Sequence, residues 1–103
     1  MSYNRWDMSK FSNERAETLD ADLDILLDNL CRHWDFCNRL SGNEALSNDG
    51  RVDASEFADS VLRGEGFTPA DEPEYRAAIQ RAFLERYGRA EISVESYSNS
   101  TIT

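Results

Sequence analysis

The sequence has only one lysine, one histidine, two cysteines and two prolines among its 103 residues, and it has no long apolar run. Its eleven basic residues face twenty acidic ones, which gives a formal net charge of −9. A protein with so little positive charge lacks the groups that hold nucleic-acid phosphates or anionic lipid headgroups. The longest strongly apolar run is Ile25-Leu26-Leu27, whereas a membrane-spanning helix needs roughly 20 such residues. We therefore expect no direct nucleic-acid partner and no membrane partner.

The two cysteines, Cys31 and Cys37, are predicted to be reduced thiols. If both lie on one helix, their separation in the sequence places them about 9 Å apart along the axis and about 120° apart around it. A disulfide would then require the helix to melt. Reduced cysteines, together with an N-terminus that lacks the apolar core of a signal peptide, favour a cytoplasmic protein.

The single histidine, His33, lies at the edge of an apolar helix face and is interpreted as a partly buried structural residue. On a helix, His33 and Cys37 would share a face, but the third group and the oxyanion site of a catalytic centre are not recognisable. Cys31, His33 and Cys37 also lack the paired spacing of a structural zinc site. We therefore predict no catalytic residue, no metal site and no cofactor, in a protein that is not an enzyme.

Apolar residues recur at steps of three and four from about Ser12 to Leu40, which predicts one long amphipathic helix. The apolar stripe of this helix comprises Leu19, Leu23, Leu26, Leu30, Trp34, Cys37 and Leu40. A separate wedge carries carboxylates, namely Glu17, Asp20, Asp24, Asp28 and Asp35. Because glycine often follows a helix end, we predict the end of this helix at Ser41-Gly42-Asn43, with Gly42 as the first residue beyond it.

Two shorter helices are predicted after a polar loop at residues 41–52. Asp53 and Glu56 have the spacing of a capping box, which places the start of one helix at Asp53 and its end near Gly64 or Gly66. The next helix is predicted to follow Thr68-Pro69, with Asp71 and Glu74 as a second capping pair, and to run to about Tyr87, just before Gly88. The core residues expected from these two helices are Phe57, Val61, Leu62, Tyr75, Ile79, Ala82, Phe83 and Tyr87.

The two ends of the chain have different compositions. Residues 1–11 form an aromatic arm that carries Tyr3, Trp6, Met8 and Phe11, and we expect this arm to pack on the helices. Ile92 and Val94 alternate with polar residues, as in a short strand. Residues 96–103 are rich in Ser, Thr and Asn, which predicts a flexible tail. We expect residues 1–103 to form one small all-α domain, in which the two shorter helices pack on the long one and the terminal segments could pair as a short β-hairpin.

Residues Asp49–Phe57 resemble the second half of an EF-hand calcium loop. In that alignment Gly50 is the turn glycine, Val52 is the central apolar residue and Glu56 is the terminal carboxylate. The first and third ligand positions are Ala45 and Ser47, which do not supply carboxylates. Helix capping also accounts for Asp53 and Glu56, so we predict a degenerate loop that binds no metal.

The acidic charge is segregated along the chain. Residues 12–28 carry six acids against Arg15, a sum of −5, and residues 53–74 carry seven acids against Arg63, a sum of −6. Residues 75–89 sum to +3, from four arginines and one glutamate. The carboxylate wedge of the first helix could therefore face water, pair with these arginines, or bind a partner.

The partner-binding hypothesis is the one we favour. A rigid row of carboxylates repeats at about the spacing of phosphates along a nucleic-acid strand, and it could occupy a basic surface that normally holds nucleic acid. Small acidic phage inhibitors of restriction or CRISPR complexes are similar in size and charge, an analogy of composition only. Glu17, Asp20, Asp24, Asp28 and Asp35 would bind the protein partner. The alternative is a structural subunit that assembles through the long helix, including as a homodimer.

Overall fold

The computed structural model describes residues 6–37 and 40–101. Its elements, in chain order, are α1 (Leu19–Trp34), α2 (Gly42–Ala45), β1 (Arg51–Asp53), α3 (Ala54–Gly64), a 3₁₀ turn (Pro69–Asp71), α4 (Pro73–Tyr87), β2 (Glu91–Ser93) and α5 (Val94–Thr101). The fold is mostly helical with one small two-stranded sheet, which confirms the helical class in its coarse form.

A single hydrophobic core joins α1, α3 and α4. Apolar side chains with almost no exposed surface come from each of these helices, and from one residue of each strand; they include Leu23, Leu26, Leu30, Phe57, Val61, Leu62, Ile79, Phe83, Val52 and Ile92. The apolar positions predicted within α1 and α3 are therefore confirmed, and those of α4 in part. Cys37 and Leu40, also predicted in the stripe of the long helix, lie beyond the end of α1. Tyr75 and Tyr87, also expected in the core, are half-buried at its edge.

The two strands pair antiparallel about Val52 and Ile92, and the backbone bonds on either side are symmetric. The N–H of Ala54 donates to the carbonyl of Ala90 at 2.8 Å, and the N–H of Val94 donates to the carbonyl of Gly50 at 2.8 Å. Ala54 and Val94 are the first residues of α3 and α5. The sheet thus fixes where both helices begin.

The expected terminal hairpin is wrong in its partner. Ile92 does lie in a strand, but the other strand is Arg51–Asp53, from the segment predicted as a loop. The tail prediction is also corrected, because α5 extends from Val94 to Thr101. Ser93 and Ser96 exchange hydrogen bonds at the start of α5, which supply partners that the composition did not reveal. Residues 102–103 lie outside the described part of the chain.

The aromatic arm packs as expected over the residues that are described. Trp6, Met8 and Phe11 lie partly buried against the core, and the indole N–H of Trp34 donates to the carbonyl of Asp7 at 3.3 Å. The remaining aromatic residue of the prediction, Tyr3, lies outside the described residues.

The predicted long helix is much shorter than expected at its start. It begins at Leu19, because the preceding segment uses its backbone groups elsewhere. The N–H of Ser12 donates to the side-chain oxygen of Asn29 at 3.0 Å, and the N–H of Ala16 donates to Asp22 at 3.1 Å. These bonds tie an extended segment to the side of α1 instead of continuing the helix.

The end of α1 also differs from the prediction. The helix stops at Trp34, and Asp35 follows it in the left-handed conformation with φ 64°. A non-glycine residue pays about 1 kcal/mol for this conformation, although aspartate tolerates it better than most residues. Gly42, predicted as the residue beyond the helix, instead begins α2, where Ser41 and Glu44 form a complete capping box.

The prediction of two reduced cysteines is wrong, because Cys31 and Cys37 form a disulfide. The geometric objection assumed a continuous helix, and the reversal at Asp35 removes that assumption by bringing the two Cα atoms to 4.4 Å. The proposed shared helix face of His33 and Cys37 is also wrong, since Cys37 lies beyond the helix. The argument for a cytoplasmic location from reduced thiols no longer holds.

The start of α3 is confirmed, since the Asp53 side chain accepts the N–H of Glu56 at 2.7 Å. The predicted start of α4, with Asp71 and Glu74 as a capping pair, is not confirmed. Asp71 lies in the 3₁₀ turn, α4 begins at Pro73, and its N-cap residue Glu72 makes no side-chain cap bond. Pro73 has no N–H to cap, which makes the first turn tolerant of this arrangement.

Candidate functional site

Three of the five predicted partner-binding carboxylates form a row along α1. Asp20, Asp24 and Asp28 lie at successive i, i+4 positions of the helix, about 6 Å apart along its axis. Asp24 and Asp28 are exposed, and Asp20 is half-buried. We call these three residues the acidic row.

The other two predicted residues lie beyond the ends of the helix. Glu17 precedes α1, Asp35 follows it, and both are exposed. The N–H of Asp35 donates to the carbonyl of Cys31 at 3.2 Å. Because neither residue has helical backbone geometry, the helical spacing that motivated their choice applies only to the acidic row.

Contacts within the chain leave the charge of the acidic row in place. Asp24 accepts the N–H of Gly42 at 2.6 Å. Asp28 pairs with Arg32 at 2.7 Å, and both side chains are more than half exposed, so this i, i+4 pair contributes at most about 0.5 kcal/mol. A hydrogen bond from the Thr18 hydroxyl lowers the pKa of Asp20 and so favours its ionised form.

Two of the three arginines of α4 pair with acids outside the row. Arg76 binds Asp59 at 2.6 Å, and Arg86 binds Asp22 at 2.8 Å. Within residues 6–37 and 40–101, the only ion pair of the acidic row is therefore the exposed contact with Arg32.

Asp22, which the sequence analysis did not select, is the centre of a buried polar network. Its side chain is 0% exposed, and it accepts hydrogen bonds from Arg86, from the Ala16 N–H and from the Tyr97 hydroxyl. Burial raises the pKa of Asp22, but the hydrogen bond from Arg86 and the other donors outweigh that effect, so the net pKa is lowered. The sequence contained one clue, because Asp22 lies only about 40° around the helix from Leu26, at the border of the apolar stripe.

Arg86 also ties the segment before α1 to the core. Its guanidinium donates to the carbonyls of Ser12 and Glu14 as well as to Asp22. The Tyr97 hydroxyl, on α5, lies within hydrogen-bond distance of both Asp22 and the carbonyl of Ala16, which share its single proton. The network therefore connects α1, α4, α5 and the extended segment, which is a structural role.

A second acidic cluster lies where β1 meets α3. The Asp53 carboxylate is the main cause of a raised pKa at Glu56, and burial, Glu91 and Asp59 add to it. Such a rise reports mutual repulsion among neighbouring carboxylates. The cluster adds to the anionic surface, and Asp53 itself serves as the cap of α3.

The loop that resembles an EF-hand keeps the turn glycine, but its possible ligand groups bond within the chain. Gly50 has φ 72°, as a tight turn requires. A calcium loop directs its seventh-position carbonyl at the ion, but here that carbonyl, of Arg51, accepts the N–H of Ser47 at 2.8 Å. The Asp53 carboxylate is likewise used within the chain, by the Glu56 N–H. Hydrogen bonds inside the protein thus occupy groups that calcium would need.

Adding calcium is expected to leave the thermal unfolding midpoint unchanged to within about 1 °C, because a ligand that does not bind the folded state cannot stabilise it. The measurement is a thermal melt followed by circular dichroism, first with calcium and then with a chelator. A rise of several degrees that the chelator reverses and that the Glu56→Gln variant lacks would contradict this expectation and place the ion in the loop.

The side chains of Cys31, Cys37 and His33 contact other groups of the chain. Cys31 and Cys37 are joined to each other, and His33 is exposed and stacked on Phe11 at 5.5 Å, in contrast to its predicted partial burial. Across the described residues, no three His, Cys, Asp or Glu side chains gather as a set of metal ligands. No helix in the same part of the chain is long and apolar enough to cross a membrane.

Two of the surface recesses are partly lined by ion-paired side chains. One of about 650 Å³ lies between α3 and α4, and its Asp59 and Arg76 pair with each other. Another, of about 170 Å³, lies beside Phe11, Leu26 and Arg86. Neither recess adjoins His33 or the disulfide. The prediction that the protein is not an enzyme stays a prediction.

No protein-family model matches the chain, and searches of curated proteins and of solved structures find no significant similarity. The functional conclusion therefore depends on the geometry and charge of the chain itself.

Proposed function

We propose that this protein is a small acidic protein-binding module, and that the acidic row of α1 occupies a basic, nucleic-acid-binding surface of a protein partner. The observation that carries the proposal is that the row has one ion pair among the described residues, the exposed contact of Asp28 with Arg32. Arg76 and Arg86 of α4, which could otherwise neutralise the row, are engaged by Asp59 and Asp22. Asp24 and Asp28 are exposed, and Asp20 is half-buried beside them.

The spacing of the row supports the same proposal. Three carboxylates at steps of about 6 Å along the helix axis repeat at a spacing of the same order as that of the phosphates along a nucleic-acid strand. The helix that carries them is fixed by the buried side chains Leu23, Leu26 and Leu30 on its opposite face. A rigid row loses little conformational entropy on binding, which favours affinity. Glu17 and Asp35 extend the same proposed surface beyond both helix ends.

Replacing Asp20, Asp24 and Asp28 together by asparagine is expected to weaken binding to a basic partner by at least about tenfold, since opposite charges across an interface drive encounter and register. Asparagine keeps an acceptor for the Gly42 N–H, so α2 is expected to stay in place. The partner is first isolated by affinity capture from native cells. Binding of the purified pair is then titrated at several salt concentrations, with and without a competing DNA duplex.

The matched control is the triple variant Glu65→Gln, Asp71→Asn and Glu74→Gln, which removes the same charge from residues outside α1. The proposal requires the α1 variant to lose affinity and salt dependence while the control retains both, and it requires DNA to compete. Equal loss in both variants would show that only bulk charge matters. Binding that DNA does not compete with would refute the nucleic-acid surface.

Assembly into a larger complex is the second candidate function. It is favoured by three large apolar side chains that remain exposed, Phe67, Leu84 and Val94. The apolar stripe of α1 is buried by the chain's own core, so an assembly surface would have to use other residues. The molar mass measured by light scattering coupled to size exclusion distinguishes a stable oligomer from a monomer.

A further inference from the structure

The chain reverses direction directly after α1, and this reversal holds a cluster of aromatic rings. Asp35 turns the backbone in the left-handed region, and the N–H of Phe36 donates back to the carbonyl of Leu30 at 3.2 Å. Within residues 6–37 and 40–101, Asp35 is the only residue other than glycine with positive φ. Contacts with other residues must therefore offset the cost of this backbone conformation.

The reversal places Phe36 against two other rings, Trp6 and Tyr75. Phe36 is 5% exposed, stacks on Trp6 with 5.9 Å between ring centroids, and meets Tyr75 edge to face at 5.7 Å. Trp6 contacts Trp34 at 5.1 Å. We call Trp6, Trp34, Phe36 and Tyr75 the aromatic corner.

The Cys31–Cys37 disulfide spans this reversal, because it joins residues on either side of Asp35. It links the last turns of α1 to the residue that follows Phe36. Cys37 is exposed and Cys31 is half-buried, so a thiol in solution can reach the bond through Cys37. Exposed disulfides are reduced more readily than structural disulfides.

We propose that the Cys31–Cys37 disulfide is a redox-sensitive clasp that holds the aromatic corner closed, and that a dithiol reductant opens the corner while the core stays folded. A thiolate of the dithiol attacks Sγ of Cys37, the S–S bond breaks, and Cys31 leaves as a thiolate that takes a proton. The second thiol of the reagent then attacks the mixed disulfide and releases Cys37. Two electrons pass to the cysteines, and the dithiol becomes a cyclic disulfide.

We expect the opening to be local because much of the core lies in helices that the disulfide does not join. Trp34 and Phe36 belong to the same core and are 8% and 5% exposed. Phe57 and Phe83 have no exposed surface and lie in α3 and α4, which the disulfide does not join. Once the bond breaks, nothing covalent opposes the return of Asp35 to an ordinary backbone conformation. Phe36 is then free to leave its place between Trp6 and Tyr75.

Hydrogen exchange measured by NMR tests the proposal on the intact chain without any partner. On reduction with dithiothreitol, the protection of the Phe36 amide against hydrogen exchange is expected to fall by at least about tenfold. The reason is that the disulfide no longer restricts the loop between Cys31 and Cys37. Tryptophan fluorescence is expected to shift to longer wavelength and to become more accessible to acrylamide. The double variant Cys31→Ser with Cys37→Ser should match the reduced protein and should not respond to dithiothreitol.

Three results would overturn the proposal. Equal Phe36 protection in the oxidised and reduced protein would show that the bond does not hold the corner. A reduced protein in which the amides of Val52 and Ile92 also lose protection would be unfolded throughout, and not locally opened. A serine variant that still responds to dithiothreitol would place the response elsewhere. None of these results depends on the partner of the acidic row.

Discussion

Replacing Arg86 by methionine is expected to lower the free energy of unfolding by about 3 to 5 kcal/mol, the cost of leaving a buried charge without its partner. Asp22 has no exposed side-chain surface, and Arg86 is its only ion-pair partner within the described residues. Methionine fills similar space but donates no hydrogen bonds. The carbonyls of Ser12 and Glu14 lose a donor as well. Urea unfolding followed by circular dichroism measures the change.

The control for this prediction is Arg81→Met, an arginine on the same helix that is exposed. An exposed substitution of this kind usually changes stability by no more than about 0.5 kcal/mol. Adding Asp22→Asn to Arg86→Met removes the orphaned charge and is expected to recover part of the loss, because the amide still accepts the Ala16 N–H. If Arg86→Met and Arg81→Met unfold at the same urea concentration, the network does not stabilise the fold.

The features that local residues control could be predicted from the sequence. Asp53 caps α3 because its side chain reaches an N–H only three residues away. Gly88 ends α4 because a left-handed residue is needed there, and its N–H closes on the carbonyl of Leu84. The period of three and four residues also identified the buried face of α1. Each of these patterns lies within a few residues of the structure that it predicts.

The features that were missed depend on contacts between distant residues. The segment before α1 is extended because Asn29 and Asp22 accept its N–H groups, and helical periodicity does not report such bonds. The disulfide was rejected because the helix was assumed to continue to Cys37. Only the reversal at Asp35 brings the two cysteines together, and an aspartate in the sequence does not by itself predict such a reversal.

The candidate site was predictable in its middle but not at its ends. The positions of Asp20, Asp24 and Asp28 on one helix face follow from their spacing alone, and the structure retains it. The choice of Glu17 and Asp35 depended on helix boundaries, which are the least certain part of any interpretation of a single sequence. The contact of Asp24 with Gly42 could not be foreseen, because it joins α1 to a helix of one turn.

That contact sets the position of α2 on the acidic row. Gly42 is buried, and its N–H donates to Asp24 at 2.6 Å. A Cβ atom built on Gly42 would overlap the backbone carbonyl of Asp20. Because the overlapping group is backbone in the first turns of α1, it cannot rotate away as a flexible side chain would. The two helices can approach this closely only with glycine at this position.

The Gly42→Ala variant is therefore expected to lose about 1 to 3 kcal/mol of unfolding free energy, the usual cost of forcing an extra methyl group into a packed contact. Gly64→Ala is the matched control, because Gly64 is the exposed last residue of α3, where alanine is neutral or favourable by up to about 1 kcal/mol. Urea midpoints of both variants give the difference, and hydrogen exchange at the Gly42-position amide reports whether α2 has left α1. Equal midpoints and an unchanged exchange rate would contradict the prediction. They would mean that α2 is held by its side chains, and that its close backbone contact with α1 is dispensable.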